Sequence, residues 1–218
     1  MSRSAGTAIA LLLLTRLLAV AQTKIPLVDI KSADPTIVVD LRYAGNNNVA
    51  GRALYPRNSR ARVRPELLPR LTGAQKFLRQ YNYRLKIWDA YRPPAAQRAL
   101  WQTISNDSYV SNPELGAGSL HSWGVAVDCT LTDLHNHEVR MPTDFDDFSP
   151  ASMTKYMGPD KAIRNRLRLL QVAMAGSGFY AFQNEWWHFT VKNWAKYLPA
   201  AEVDRIVHIF GSPSEGNL

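Results

Sequence analysis

The chain has 218 residues, enough for one domain with additions, and 46% hydrophobic and 20% charged residues, as in a folded globular protein. Its formal net charge of +8 favours anionic surroundings. No basic block is interleaved with aromatic residues and no nucleic-acid-binding motif is present, so we expect no nucleic-acid partner. The single Cys129 excludes an intrachain disulfide, and its place in an alternating segment predicts a buried, unreactive thiol.

Residues 1–21 have the pattern of a signal peptide, which leaves residues 22–218 as the functional domain. Arg3 precedes an apolar run at residues 8–14, and residues 19–21 give a small-x-small cleavage site. A frayed helix and a membrane anchor are the alternatives, but the apolar run is too short to span a bilayer. We expect an exported, periplasmic protein without a membrane span after processing, or a cytoplasmic one if the leader does not function.

Hydrophobic periodicity predicts both strands and helices along the rest of the chain. Strands are predicted at residues 36–41, 84–90, 125–131, 179–182 and 186–191. Helices are predicted at residues 67–81, 95–104, 161–175 and 202–210. The two types do not alternate as regular βαβ units, which indicates an α+β domain with a central, mainly antiparallel sheet flanked by helices.

Two short segments contain the residues best suited to metal binding and catalysis. The first contains His121 and Asp128, and the second contains Glu185 and His188. Two imidazoles and one carboxylate can hold a zinc ion and leave its fourth position open for water. The remaining carboxylate could then serve as a base for hydrolysis. Taken singly, each residue could be an ordinary surface or hydrogen-bonded side chain, and cobalt or nickel would also suit such a site.

The second segment has a geometric difficulty. In a regular strand Glu185 and His188 point to opposite faces of the sheet. If both serve one centre, the backbone must bulge at Glu185-Trp186, or Glu185 must lie in the preceding loop. His135 and His137 flank a predicted turn and are interpreted as surface residues.

These motifs resemble those of a known family. Ser-x-His-x-x-Gly-x-Ala-x-Asp at residues 119–128, followed by Glu-Trp-Trp-His at 185–188, is similar to the signature of the zinc D-alanyl-D-alanine dipeptidases. These form the VanX-type branch of the D,D-peptidase and hedgehog superfamily. Further matching blocks, in the same order, are residues 40–44 with Asn47 and Asn48, 89–93, 143–146, 165–166 and 178–179. The resemblance covers roughly residues 26–195.

The resemblance implies a hedgehog-like fold and a role for each site residue. His121, Asp128 and His188 would bind one Zn²⁺. Glu185 would be the general base and later the proton donor to the leaving amine. Arg92 would stabilise the oxyanion of the tetrahedral intermediate, which suits a permanently charged fork of donors, although a salt bridge at the strand end is an alternative.

The same resemblance suggests the residues that contact the substrate. Asp146 would hold its free ammonium group, or would only cap a loop. Ser119 would hydrogen-bond the substrate or shape its own loop, and Trp186 would line the pocket. The chain departs from the family pattern at Val49, Ala90 and Pro142.

The activity implied is hydrolysis of the dipeptide D-Ala-D-Ala to two D-alanines in cell-wall turnover. An exported enzyme fits wall recycling better than glycopeptide resistance. The alternatives are a D,D-carboxypeptidase acting on longer peptidoglycan peptides, a non-catalytic zinc-binding module like the hedgehog relatives, and a basic envelope scaffold. Retention of both Glu185 and Arg92 argues against the binding module, and a scaffold would leave the ligand set unexplained. Sequence alone does not indicate the oligomeric state.

Overall fold

The computed structural model describes residues 25–115 and 118–204. The leader predicted at residues 1–21 and most of the helix predicted at 202–210 lie outside this part, so both stay predictions. Within the part described, no helix has both the length and the apolar character needed to cross a membrane.

The described residues form two sheets and three complete α-helices, and a further helical segment begins at Ala200. The strands are β1 (Val28–Asp29), β2 (Val38–Val39), β3 (Arg62–Val63), β4 (Arg84–Asp89), β5 (Ala126–Thr132), β6 (Phe179–Phe182) and β7 (Glu185–Val191). The helices are α1 (Leu68–Arg79), α2 (Pro94–Thr103) and α3 (Lys161–Gly176). β1 pairs with β3, and the other strands form one sheet in the order β2-β4-β5-β7-β6.

The five-stranded sheet is mainly antiparallel, as expected, with β2 and β4 as its one parallel pair among the described strands. β2 is shorter than the strand predicted at residues 36–41. Before it, Asp34 accepts hydrogen bonds from the backbone N–H and hydroxyl of Thr36 and holds a turn. After it, the chain enters a 3₁₀ turn at Arg42–Ala44. Local side-chain bonds at the sheet edge thus outweigh the β-propensity of the segment.

The hydrophobic core lies between the sheet and helices α1 and α3, which contact each other and the strands. Val127, Cys129 and Leu131 line one face of β5, as the alternation predicted, and all three are fully buried. The apolar stripes of the helices, Leu71, Leu78, Leu167, Leu170 and Met174, are buried with them. Each such aliphatic side chain contributes about 1.5–3 kcal/mol. The Cys129 thiol lies in this core and is buried, as predicted.

The other face of β5 is also inaccessible to solvent, although it is polar. Asp128, Thr130 and Thr132 are each no more than 2% exposed. A fully buried strand with a polar face requires partners for its side chains or a functional reason to lack them. The candidate site lies on this face.

Candidate active site

The centre of the site is a cross-strand pair. Asp128 on β5 lies directly opposite His188 on β7. Side chains at such positions lie within reach of each other, and His188 Nδ1 is 3.1 Å from Asp128 Oδ1. Two residues separated by 60 positions in the chain are therefore held together by the register of two central strands.

His121 reaches the same point from a 3₁₀ turn, Leu120–Trp123, which leads into β5. The hydroxyl of Ser119 caps this turn by accepting the backbone N–H of His121 at 3.3 Å. Gly124 ends it in the left-handed conformation, with φ of 68°. A Cβ at Gly124 would lie 2.7 Å from Leu27 Cδ2, so glycine is needed both for the dihedral angle and for close packing.

Three potential ligand atoms converge in an almost equilateral triangle. His121 Nε2 lies 3.1 Å from His188 Nδ1 and 3.3 Å from Asp128 Oδ1, and the third edge is also 3.1 Å. Ligands about 2.0–2.1 Å from a tetrahedral zinc ion are about 3.3 Å apart. The triangle therefore has the size of one face of a zinc coordination sphere, which leaves the fourth corner for water or substrate.

The protonation state of the site suits a cation. His121 Nδ1 lies 2.8 Å from the carbonyl oxygen of Ala90, which can only accept, so Nδ1 carries the proton and Nε2 presents a lone pair. Burial lowers the pKa of His188, which favours the neutral ring. Burial alone would raise the pKa of Asp128, but its contacts with the imidazoles of His121 and His188 outweigh burial and lower that pKa.

Glu185 enters the site through an irregularity in β7. The ladder with β6 pairs Ala181 with Phe189 and then Phe182 with Glu185, which leaves three residues of β7 bulged. The bulge brings Glu185 Oε2 to 3.8 Å from His188 Nδ1. The irregularity expected from the Glu185–His188 spacing is therefore present. Burial, followed by the charges of Asp128 and Asp146, raises the pKa of Glu185, which suits a group that both takes and gives a proton.

Arg92 is 6% exposed, and each nitrogen of its guanidinium contacts a neighbouring side chain. Nε and Nη2 donate to Asp89 Oδ2 at 2.9 and 2.8 Å, and Nη1 donates to Gln97 Oε1 at 2.9 Å. Nη2 also lies 3.5 Å from Asp128 Oδ2, and the guanidinium stacks 4.9 Å above the ring of Tyr43. The salt bridge considered for Arg92 is thus present, and it directs the guanidinium toward the ligand cluster.

Asp146 lies in the same electrostatic neighbourhood but does not touch the ligand triangle. It adopts the left-handed conformation with φ of 60°, which Asp and Asn tolerate better than most residues. Its carboxylate accepts the Tyr43 hydroxyl and the Val49 backbone N–H, each at 3.0 Å. Burial raises its pKa to about 7, with Arg92 acting in the opposite direction. The structure shows a loop-holding role for Asp146, and its contact with a substrate amine stays a prediction.

The remaining predicted residues have clear positions. Ser119 shapes the His121 turn, and its substrate contact stays a prediction. Trp186 is fully buried, and its indole N–H donates to the Thr143 hydroxyl at 2.9 Å. Its place in the pocket lining stays a prediction. His135 and His137 are exposed, as expected.

Some residues that build the site were not assigned roles from sequence. Asp89 and Gln97 orient Arg92, Tyr43 binds Asp146, and the hydroxyl of Tyr55 donates to Asp89 at 2.6 Å. Asp89 lies in the block at residues 89–93 that resembles the family, and this match is the sequence signal that could have indicated its role. Two of the departures from the family pattern, Val49 and Ala90, contact the site through backbone atoms, so their side chains do not disturb it.

Two imidazoles, a buried carboxylate, a spare glutamate and an oriented arginine define the class of zinc metallopeptidases. Comparison with protein families is more specific. The model of the peptidase M15 family, described as D-ala-D-ala dipeptidase, matches residues 23–206, and the chain belongs to this family. It is a zinc-dependent metallodipeptidase family, and the three-atom triangle fits that cofactor.

Curated relatives agree. The chain is 36% identical over 172 residues to the D-alanyl-D-alanine dipeptidase of Escherichia coli K12, a match that covers 78% of this chain and 87% of that protein. It is 30% identical over 174 residues to the D-alanyl-D-alanine dipeptidase of Enterococcus faecium, covering 71% and 85%.

Among solved structures, the chain is similar to the vancomycin resistance D,D-pentapeptidase VanY from a VanB-type cassette, solved as a mutant in complex with Zn(II). The TM-score is 0.43 at 15% identity, over 69% of this chain and 81% of that one.

Proposed function

We propose that this protein hydrolyses the free dipeptide D-Ala-D-Ala to two D-alanines. The observation that carries the proposal is the convergence of His121, Asp128 and His188 beside two groups, Glu185 and Arg92, that zinc binding alone does not require. Membership of the dipeptidase family and the names of the curated relatives support the same substrate.

Each residue has a chemical task in this proposal. His121, Asp128 and His188 would hold the zinc ion, which would polarise the peptide carbonyl and lower the pKa of bound water to about 7. Glu185 accepts a proton from the attacking water and later donates it to the leaving amine. Arg92 lies with Nη2 near Asp128 and presents a fixed positive charge where negative charge develops on the carbonyl oxygen.

Asp146 is our candidate for the group that recognises the free amine of the dipeptide. Two carboxyl groups of the site, Asp146 and Glu185, have raised pKa values and are not zinc ligands in the proposal. Arrival of a substrate ammonium group would offset the cost of ionising Asp146 in a buried position. Recognition of the amine would distinguish a free dipeptide from the end of a longer peptide.

We further propose that the enzyme acts outside the cytoplasm, on fragments released during cell-wall turnover. The leader pattern at residues 1–21 supports export. A net charge of +8 is compatible with an anionic envelope.

The test is a substrate panel for the zinc-loaded protein: D-Ala-D-Ala, L-Ala-L-Ala and an acylated D-Ala-D-Ala. We expect cleavage of the free D,D-dipeptide, with at least about 100-fold lower kcat/KM for the other two. For the acylated peptide such a ratio corresponds to loss of one charged contact, about 2.7 kcal/mol. Preference for the acylated peptide would indicate a D,D-carboxypeptidase instead. Zinc binding without any cleavage would indicate a binding module.

A further inference from the structure

The two imidazoles differ in what holds the nitrogen that faces away from the triangle. For His121 it is the carbonyl oxygen of Ala90. For His188 it is a side chain, since Nε2 lies 3.1 Å from the hydroxyl oxygen of Thr190. A neutral imidazole carries one proton, and only its unprotonated nitrogen can bind a metal. The direction of the His188–Thr190 hydrogen bond therefore decides whether Nδ1 is available.

A hydroxyl can donate or accept, so the His188–Thr190 pair does not set its own direction. The ligand triangle does: His188 Nδ1 faces Asp128 and His121 and must be unprotonated to bind a metal, which leaves the ring proton on Nε2. Tyr180 on β6 lies directly opposite Thr190 in the ladder. Burial raises the pKa of the Tyr180 phenol, and hydrogen bonding with the side chains of Thr190 and Trp194 acts in the opposite direction. The Tyr180 phenol is thus a second partner that can accept the Thr190 proton when Thr190 accepts from His188.

The chain of hydrogen bonds then has one consistent direction. The Trp194 indole is a donor only, so the Tyr180 oxygen accepts from it. The Thr190 oxygen then accepts from His188 Nε2, and the Thr190 proton can be donated to the Tyr180 oxygen. Thr190 is 1% exposed, so bulk water does not compete for its hydroxyl.

We propose that Thr190 is a positioning residue for the metal centre: its hydroxyl accepts the Nε2–H of His188 and holds Nδ1, unprotonated, toward Asp128 and His121. This inference rests on the proposed assignment of His188 as a zinc ligand. Hydrogen-bond partners of this kind typically change metal affinity about 10–100-fold when they are removed.

The chain supplies a matched control. Thr130, on the neighbouring strand β5, is fully buried on the same face as Asp128, and its hydroxyl has no hydrogen-bond partner among the described residues. Thr130→Val therefore makes the same chemical change at similar burial without touching a proposed ligand. Thr190→Ser keeps the hydroxyl while removing the methyl group of Thr190.

The experiment measures zinc affinity by competition with a chromophoric chelator for the wild type, Thr190→Val, Thr190→Ser, Thr130→Val and His188→Ala. We expect Thr190→Val to bind zinc about 10–100-fold more weakly. Thr190→Ser and Thr130→Val should remain within about threefold of the wild type. The proposal is wrong if Thr190→Val binds as the wild type does, if Thr130→Val loses as much affinity, or if Thr190→Ser fails to retain it.

A second measurement needs no variant at position 190. Long-range ¹H–¹⁵N NMR spectra of the zinc-loaded wild type, assigned with His188→Ala, should show zinc on Nδ1 and a proton on Nε2 of His188. Zinc on Nε2 would overturn the inference. If His188→Ala binds zinc like the wild type, the ligand assignment of the proposed function fails. If only Thr190→Val is unchanged, the positioning role alone fails.

Discussion

In the described part of the chain, the active-site cluster of charged side chains and a second cluster differ in charge balance. The second cluster is paired: Asp40 and Glu138 face Arg42 and Lys86, with Lys86 Nζ 2.8 Å from each carboxylate and Arg42 Nη2 2.7 Å from Glu138. Two acids and two bases neutralise each other there, and both carboxylates remain partly exposed.

The active-site cluster is not balanced. In the described part of the chain it holds four carboxyl groups, Asp89, Asp128, Asp146 and Glu185, around one guanidinium, that of Arg92. All five side chains are less than 10% exposed. Without further positive charge, the excess is relieved by raised pKa values at Asp146 and Glu185. A zinc ion and a substrate ammonium group would together supply the three positive charges that are missing.

This difference in charge balance predicts how loss of one carboxylate should affect stability and function in each cluster. In the paired cluster, removing one carboxylate removes one ion pair among several, so the effect should be on stability. The unbalanced cluster is arranged for ligands, so removing a charge there should impair function more than folding.

The largest effect is expected for Glu185→Gln. Without a group that accepts and returns the proton, kcat should fall about 10²–10⁴-fold while the zinc content stays at one per chain. The measurements are steady-state kinetics on D-Ala-D-Ala and metal analysis of the same sample. Glu138→Gln, in the paired cluster, is the control and should keep kcat within about twofold. Loss of zinc in Glu185→Gln would instead make Glu185 a ligand.

A smaller effect, on stability, is expected for Asp146→Asn in the zinc-free protein. The pKa of Asp146 is about 7 in the fold and 3.8 in an unfolded chain. Between these values the folded state holds a proton that the unfolded state has released. Asp146 therefore lowers the free energy of unfolding as pH rises from about 4 to 7, by on the order of 4 kcal/mol.

Asp146→Asn cannot titrate, so its stability relative to the wild type should increase over that pH range. Asn also tolerates the left-handed backbone at this position. Urea unfolding of both proteins at several pH values measures the difference. A difference that does not vary with pH would contradict the raised pKa.

The smallest effect is expected for Glu138→Gln on stability. After the substitution, Arg42 and Lys86 still pair with Asp40, and partly exposed ion pairs contribute little to the free energy of unfolding. The free energy of unfolding should fall by about 0.5–1 kcal/mol in urea denaturation, with a weaker dependence on salt than in the wild type. A loss of several kcal/mol would mean that this cluster, too, holds a buried, unbalanced charge.

Sequence predicted much of this arrangement because patterns within one segment have local causes. Alternation in β5 placed Asp128 on the face away from Cys129. The Glu185–His188 spacing predicted either a bulge, which is present, or a loop position for Glu185. Helix periodicity predicted α1 and α3 within a few residues. The resemblance to the dipeptidases added Arg92 and Asp146, which spacing alone would not have singled out.

What sequence did not predict depends on contacts between distant segments. The pairing of Asp128 with His188 is a matter of strand register, which no local pattern encodes. The partners of Arg92 come from a strand end and a helix, and the Ala90 carbonyl is a backbone atom with no sequence signature. Thr190 shares a strand face with His188 by alternation, but the contact of its hydroxyl with His188 Nε2 depends on side-chain geometry that the sequence does not encode.

The central claim is that three side chains grip one zinc ion, and X-ray anomalous scattering at the zinc edge tests it most directly. Crystals of the zinc-loaded protein should show one strong peak about 2.0–2.2 Å from His121 Nε2, His188 Nδ1 and a carboxylate oxygen of Asp128. A peak that contacts neither imidazole, in protein that binds zinc and cleaves the dipeptide, would contradict the account.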